Sequence, residues 1–384
     1  MPFLLSQLIE ACRWLGALAV LALHSTNLFV NLGDIMSAPH AAPVYAWWFF
    51  TAAAVGHQAV VGFFVLSGWL VGGAVLARMR KEQDYLRDYL IHRFSRIYLV
   101  LIPALLLTLV ADQSGRWLFS GSGVYGWPMF DGRFSLKPFL GSLLNLQSIA
   151  VDYFGTNGPL WSLACEFWYY ITFPLLLLPF ARNYSAALRF GGFAVGAVIF
   201  IGLALPTSWF KFGYILWAMG AFATLAPRAV IRNRGVALAL HAALLIVIRL
   251  VVRGPLLEAH PSLSDLADLS SAALFVNLLL AFRDGPAEGF RLLRPKLHKT
   301  LADFSFSLYA IHMPLLILAR AAAGQIMGNE WTTQFARPQN FALCLAVMAT
   351  AIASAYGFSR FTEAKTGAAR RYLRGMIDKV APAS

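Results

Sequence analysis

The sequence predicts an all-α protein, a polytopic membrane helical bundle of about ten transmembrane helices. Three observations predict it. Of 384 residues, 59% are hydrophobic and only 13% are charged, against about 25% charged in an ordinary globular chain. The apolar runs are long and apolar on every side. They lack the period-two alternation of an outer-membrane barrel, which favours helices. Basic residues gather on every second connection, as the positive-inside rule requires. The formal charge of +13 therefore follows from topology and does not call for nucleic acid as a partner.

The expected spans are about 10–31, 56–77, 96–112, 159–180, 190–206, 210–226, 235–252, 269–282, 301–320 and 341–359. The eighth is the shortest. Tyr45 to Thr51 (YAWWFFT) reads as an interfacial aromatic belt leading into the second span. A cytoplasmic N-terminus places 23 of the 31 Lys and Arg inside, so both termini are expected in the cytoplasm. No basic region precedes the first apolar run and no small-residue cleavage site follows it, so no removable signal peptide is expected. Residues 1–360 form the expected membrane domain and 361–384 a basic cytoplasmic tail.

Between the third and fourth spans, about 113–158 form the longest outside connection. It contains Gly121 to Gly126 (GSGVYG) without the strand–turn–helix setting of a dinucleotide site, so a turn-rich loop is expected. A second outside loop, 253–268, carries Glu258, Asp265 and Asp268. The sequon Asn183-Tyr184-Ser185 falls inside, where glycosylation is not expected. Cys12, Cys165 and Cys344 sit in apolar spans with neither paired nor metal-binding spacing, and no metal site is expected.

The first span, Glu10 to Leu32, holds Arg13 and His24. Eleven helical steps return to within roughly 20° of the starting direction, so the two share one face about 16 Å apart. Ionisable groups within an apolar span are costly and mark pathways or chemistry. The plainer alternative has Arg13 snorkelling to headgroups and His24 packed and hydrogen-bonded. In Phe63 to Gly73 (FFVLSGWLVGG), Ser67 and its glycines offer a close-packing helix face. Arg93 and Arg96 share a face at the entry to the third span, fit for an anionic cofactor or for lipid phosphate. The fourth span opens on Asn157-Gly158-Pro159-Leu160-Trp161, read as a cap with proline in the first turn. Ser162 and Glu166 follow one turn apart, with Glu166 at a depth comparable to that of His24. In the ninth span Tyr309 and His312 precede Pro314, where a proline kink with a satisfied carbonyl competes with a catalytic role. His57 is a weaker candidate.

Taken together, Arg13-x10-His24, FFVLSGWL, HRFSRI, NGPLWSLACEFWYY and FSFSLYAIHMP resemble the acyltransferase-3 family of multispanning bacterial enzymes. The segments occur in the family's order and reach Glu363. Glu10 stands for a usual aspartate, His92 for a frequent arginine and Leu99 for a frequent proline. The resemblance implies an O-acyltransferase, O-acetyl by default, moving an acyl group from cytoplasmic acyl-coenzyme A to a hydroxyl of a surface or exported glycan or lipid-linked saccharide. It implies the bacterial inner membrane and no permanently bound cofactor, with acyl-coenzyme A as co-substrate. Arg13 and His24 take essential roles. Arg13, Arg93 and Arg96 would hold phosphates. His24, Glu166 and His312 are the catalytic candidates, and Ser67, Trp161, Ser162 and Tyr309 the substrate-binding ones. His24 acts either as general base, its charged form steadied by Glu166, or through a covalent acyl-histidine. Many relatives carry a further soluble domain, so with about 25 residues after the last span, transfer is expected to finish within the membrane unit or with a separate partner. The rival reading is a transporter or flippase for a lipid-linked glycan or small anion, using the same buried charges as a pathway. No paired broken helices support it.

Overall fold

The ten apolar segments all form helices in the computed structural model of the chain. It describes every residue except 52, 83, 252–261, 287–292, 329–333 and 381–384, with the side chains of 53–54 and 378–380 also outside the description. Glu258 therefore lies outside the described residues. Among the described residues there is no strand beyond one isolated bridge between Gln147 and Val151.

Nine helices among the described residues are long and apolar enough to cross a membrane. The one expected span missing from these nine is the sixth, which forms α10, Ser208–Ala223, with 16 residues. It rises only about 24 Å against a hydrocarbon core of about 30 Å. The eighth span is a correction in the other direction. It runs over Ser262–Asp284 (α12), so Asp265 and Asp268 belong to a helix rather than to a loop. Their charges depress the hydropathy window at its start.

Contacts divide the chain into two compact units, described separately. The first comprises Met1–Gly73, Phe212–Ser305 and Thr332–Met348. Its centre is α1, Phe3–Phe29, packed on α4, Ala53–Ser67. Gly16 faces the Phe63 ring and Gly56 faces Leu23, so the two helices run antiparallel. Helix α12 lies on α1, on α4 and on α11, Arg234–Val251, and α13, Pro295–Ala302, covers the start of α1.

Past Ser67 the second span carries one π-helical turn, Gly68–Gly72, and there it meets α10. A Cβ on Gly68 would lie 1.8 Å from the Trp217 carbonyl oxygen, and one on Gly220 2.0 Å from the Val65 carbonyl oxygen. Only bare backbones cross this closely.

The second unit comprises Ala74–Lys211, Phe306–Trp331 and Ala349–Ser384. Its longest helix, α6, spans Leu86–Leu118. At about 50 Å it outreaches the hydrocarbon core, so its ends project into the polar layers. No side chain of α6 itself caps its start. The Tyr184 hydroxyl does so, accepting from the backbone N–H of Tyr85 at 2.9 Å and of Leu86 at 3.2 Å while donating to Asp84 Oδ1 at 2.7 Å. Burial raises the Tyr184 phenol above its usual range, which keeps it a neutral donor. Helix α8, Trp161–Leu177, packs on α6 and on α9, Ala186–Ala204. The GSGVYG segment forms two 3-10 turns, Ser120–Ser122 and Val124–Gly126, as a turn-rich loop requires. Beyond α15, Pro338–Phe361, the basic tail folds as α16, Thr366–Val380, and lies against α6.

Candidate active site

Each unit carries part of the predicted set. In the first, Arg13 and His24 are both helical and half-buried on α1, which keeps the eleven-residue spacing on one face. Next to Arg13, Trp14 Nε1 donates to His298 Nδ1 on α13 at 3.0 Å, and His298 is buried. The antiparallel register sets Ser67 near the level of Arg13, and His57 within about one turn of the level of His24. Ser67 Oγ accepts a hydrogen bond from Trp217 Nε1 at 3.0 Å. His57 Nε2 lies 2.8 Å from Asp268 Oδ2, and Gln58 Nε2 donates to Asp268 Oδ1 at 2.6 Å. The carboxylate is almost wholly buried, at 1% exposure, so these partners stand in for lost water. An apolar cavity of about 280 Å³ runs beside them, lined by Cys12, Gly16 and Ala19 of α1, Gln58 of α4 and His241 of α11.

In the second unit, α8 presents Ser162, Glu166 and Tyr170 at intervals of four, a stripe about 12 Å long on one face. At its upper end Tyr309 Oη lies 2.6 Å from Ser162 Oγ and 2.6 Å from the Pro159 carbonyl oxygen. A carbonyl only accepts, so the Tyr309 proton goes to Pro159 and Ser162 donates to Tyr309. The lone pairs of Ser162 are left to accept from a third group. Lower down, Tyr170 Oη donates to Glu166 Oε2 at 2.8 Å. The Arg93 guanidinium lies over the Tyr170 ring at 5.8 Å and the Tyr89 ring at 5.9 Å, within cation–π range. Glu166 and Arg93 are thus joined through Tyr170.

Two proline-freed carbonyls fix this geometry. Pro174 removes the N–H that would bond Tyr170 O, and Tyr89 Oη donates there at 2.9 Å. Pro314 likewise frees Ala310 O within α14, Ser305–Met327, and Asn157 Nδ2 donates to it at 2.9 Å. Asn157 also donates to Thr108 Oγ1 at 3.0 Å. The cap expected of Asn157 is therefore corrected. Its side chain makes no cap bond to the Gly158–Leu160 turn, although Pro159 does stand in that first turn. The Asn157 amide is instead oriented by its N–H groups, which serve two buried acceptors that water cannot reach. His312 is buried, with Nδ1 2.9 Å from Tyr309 O. Two carbonyls within reach of Nδ1, Tyr309 O and Leu308 O, put the proton on that nitrogen. Trp161 packs edge-on against Trp209, and Arg96 is exposed on α6.

The loop before α8 hangs on Asp112, which accepts from Thr156 N at 2.9 Å and from Thr156 Oγ1 at 2.8 Å. Gly155 has φ +59°, and a Cβ there would strike Asp112 Oδ2. Sequence reading missed Asp112, Tyr170 and Arg320, the last buried on α14 two turns beyond His312. Signals existed. Tyr170 continues the spacing of four from Ser162 and Glu166, and Arg320 is the single Lys or Arg in the sequence of Ser305–Met327.

The family model described as an acyltransferase domain, acyltransferase-3, matches residues 7–360. An acyltransferase, MdmB of Streptomyces mycarofaciens, is 27% identical over 374 residues, covering 90% of this chain and 87% of that protein. No solved structure matches.

Proposed function

The chain belongs to the acyltransferase-3 family, a membrane acyltransferase, and we propose that it transfers an acyl group, acetyl by default, from acyl-coenzyme A to a hydroxyl of a surface or exported glycan. The observation that carries this reading is the stripe of Ser162, Glu166 and Tyr170, with Tyr309 at one end and Arg93 at the other. It brings hydroxyl-binding chemistry to one end of this α8 face and a phosphate-binding cation of α6 to the other. Basic connections support cytoplasmic termini and the inner membrane, so the donor enters from the cytoplasm.

In this reading Arg13, Arg93 and Arg96 hold the donor phosphates. His24 takes the proton of the acceptor hydroxyl as its oxygen attacks the thioester carbonyl. The new C–O bond forms, the C–S bond breaks, and the leaving thiolate takes up the proton from His24. Glu166 carries the compensating negative charge. Ser162 accepts from an acceptor hydroxyl, with Trp161, Tyr309 and Ser67 shaping the surroundings and His312 a further proton-handling group.

Purified full-length protein incubated with labelled acetyl-coenzyme A and candidate glycans tests the proposal. Label should appear in the glycan as a hydroxylamine-sensitive ester. Movement of a glycan or anion across a sealed vesicle without label transfer would overturn it in favour of transport.

A further inference from the structure

Helix α16 lies against the first turns of α6. Arg374 Nη2 is 3.0 Å from Asp88 Oδ1 and donates to His92 Nε2 at 3.2 Å. A guanidinium can only donate, so His92 meets it with a lone pair and adds no charge there. Arg370, one turn earlier on α16, is within Coulombic range of Arg374 and of Arg93 and Arg96 on α6. Four guanidinium groups thus gather where the two helices meet, and Asp88, which pairs with Arg374, is itself about half exposed at 52%.

This is a costly way to join two helices. Like charges one turn apart disfavour a helix, and close cations raise one another's free energy in a partly desolvated layer. The donors are also incompletely used. The Nε atoms of Arg93, Arg370 and Arg374 are all buried with no hydrogen-bond partner in the protein. A guanidinium offers Nε–H and Nη–H side by side, which matches two oxygens of one phosphate.

The geometry points to a polyphosphate site shared by the two helices, in which Arg370 and Arg374 of α16 join Arg93 and Arg96 of α6 in holding a phosphate-bearing ligand. The gathering of four cations, of which Arg374 is paired with Asp88, suits a ligand with several phosphate charges. A phosphomonoester carries about −1.5 to −2 at neutral pH, and an adjoining diphosphate adds more, whereas a simple phospholipid diester carries a single charge. This assignment rests on the acyl-coenzyme A reading above and extends it, making the tail helix part of donor recognition. The same phosphate chemistry occurs on anionic lipid headgroups, and the test separates the two sources.

Full-length wild-type protein, Arg370→Gln, Arg374→Gln, the double variant and Arg93→Gln are titrated calorimetrically with coenzyme A and with adenosine 3′,5′-bisphosphate. Retention of phosphatidylglycerol by each is measured in parallel by native mass spectrometry. Each α16 substitution should weaken coenzyme A about ten- to a hundredfold, the loss of one charge-assisted contact, and should weaken the bisphosphate by a similar factor. Asp88→Asn, which frees Arg374 and removes the opposing charge, should tighten coenzyme A several-fold, a gain that misfolding cannot produce. Loss of phosphatidylglycerol with unchanged coenzyme A affinity would keep the phosphate site and make its ligand a lipid. Unchanged affinity for both in the α16 variants, with Arg93→Gln impaired, overturns the role of α16 and leaves the donor reading intact. Wild-type protein that binds no coenzyme A overturns the donor reading, and the lipid measurement alone then decides the site.

Discussion

The hydroxyls of Ser162 and Tyr309 lie 2.6 Å apart, and Tyr309 is equally close to the Pro159 carbonyl. The single phenolic proton ties α14 to the turn that starts α8, and Ser162 is left as an acceptor. Tyr309→Phe strands a buried carbonyl and should lower stability by about 1–3 kcal/mol, read as a fall in detergent-phase melting temperature. Ser162→Ala should leave stability within about 1 kcal/mol and raise the acceptor KM. An unchanged KM would remove Ser162 from acceptor binding.

Asn157 and Pro314 form a second coupled pair through Ala310 O. Asn157→Ala should cost about 1–3 kcal/mol because the proline-freed carbonyl loses its donor. In a Pro314→Ala background the helix N–H at position 314 can bond that carbonyl, so the same substitution should cost less. A coupling energy near zero in this double-mutant cycle would show that Asn157 stabilises only through Thr108.

His24→Asn should remain inserted and bind coenzyme A normally, since Arg13 lies about 16 Å away along α1. Turnover should drop about 10²–10⁴-fold, the usual loss of a general base. Retention of most acyl transfer would make His24 a packing residue and shift attention to Glu166 or His312.

Glu166→Gln preserves an acceptor for Tyr170 Oη but removes the charge. Expression and melting temperature should stay near wild type, with kcat reduced about tenfold or more. Wild-type kcat in this variant would reduce Glu166 to an anchor for Tyr170.

Topology is testable by labelling, in a background lacking Cys12, Cys165 and Cys344. Lys81→Cys and Arg232→Cys, both at exposed positions, should resist an impermeant thiol reagent in intact cells. Ser120→Cys, also exposed, should react. The reverse pattern would put the basic connections outside.

What the sequence made legible was whatever depends on neighbours along the chain. Hydropathy located all ten helices, and the spacing of Arg13 and His24 defined a shared face without any coordinates. The length of α12 was misjudged because Asp265 and Asp268 look like loop residues until His57 and Gln58 close on Asp268. Asn157 looked like a cap for a similar reason, since its acceptor lies 153 residues further along the chain. Local propensity carries no term for such distant partners, so buried polar side chains are where sequence reading fails first.

The crossing at Gly68 and Gly220 also bears on how the protein is made. Trp217 and Ser67 are 150 residues apart, and at about 5–20 residues per second the second helix precedes its partner by roughly 8–30 s. During that interval a glycine-lined helix carrying a π turn stands in or beside the translocation machinery without the tryptophan that fills its notch. Helix α1, synthesised earlier, packs on α4 of the same span and is available to it meanwhile. A bulky residue at position 68 would therefore act late, leaving the early helices inserted and stalling the chain when α10 arrives, so that degradation products should end beyond residue 220 rather than before it.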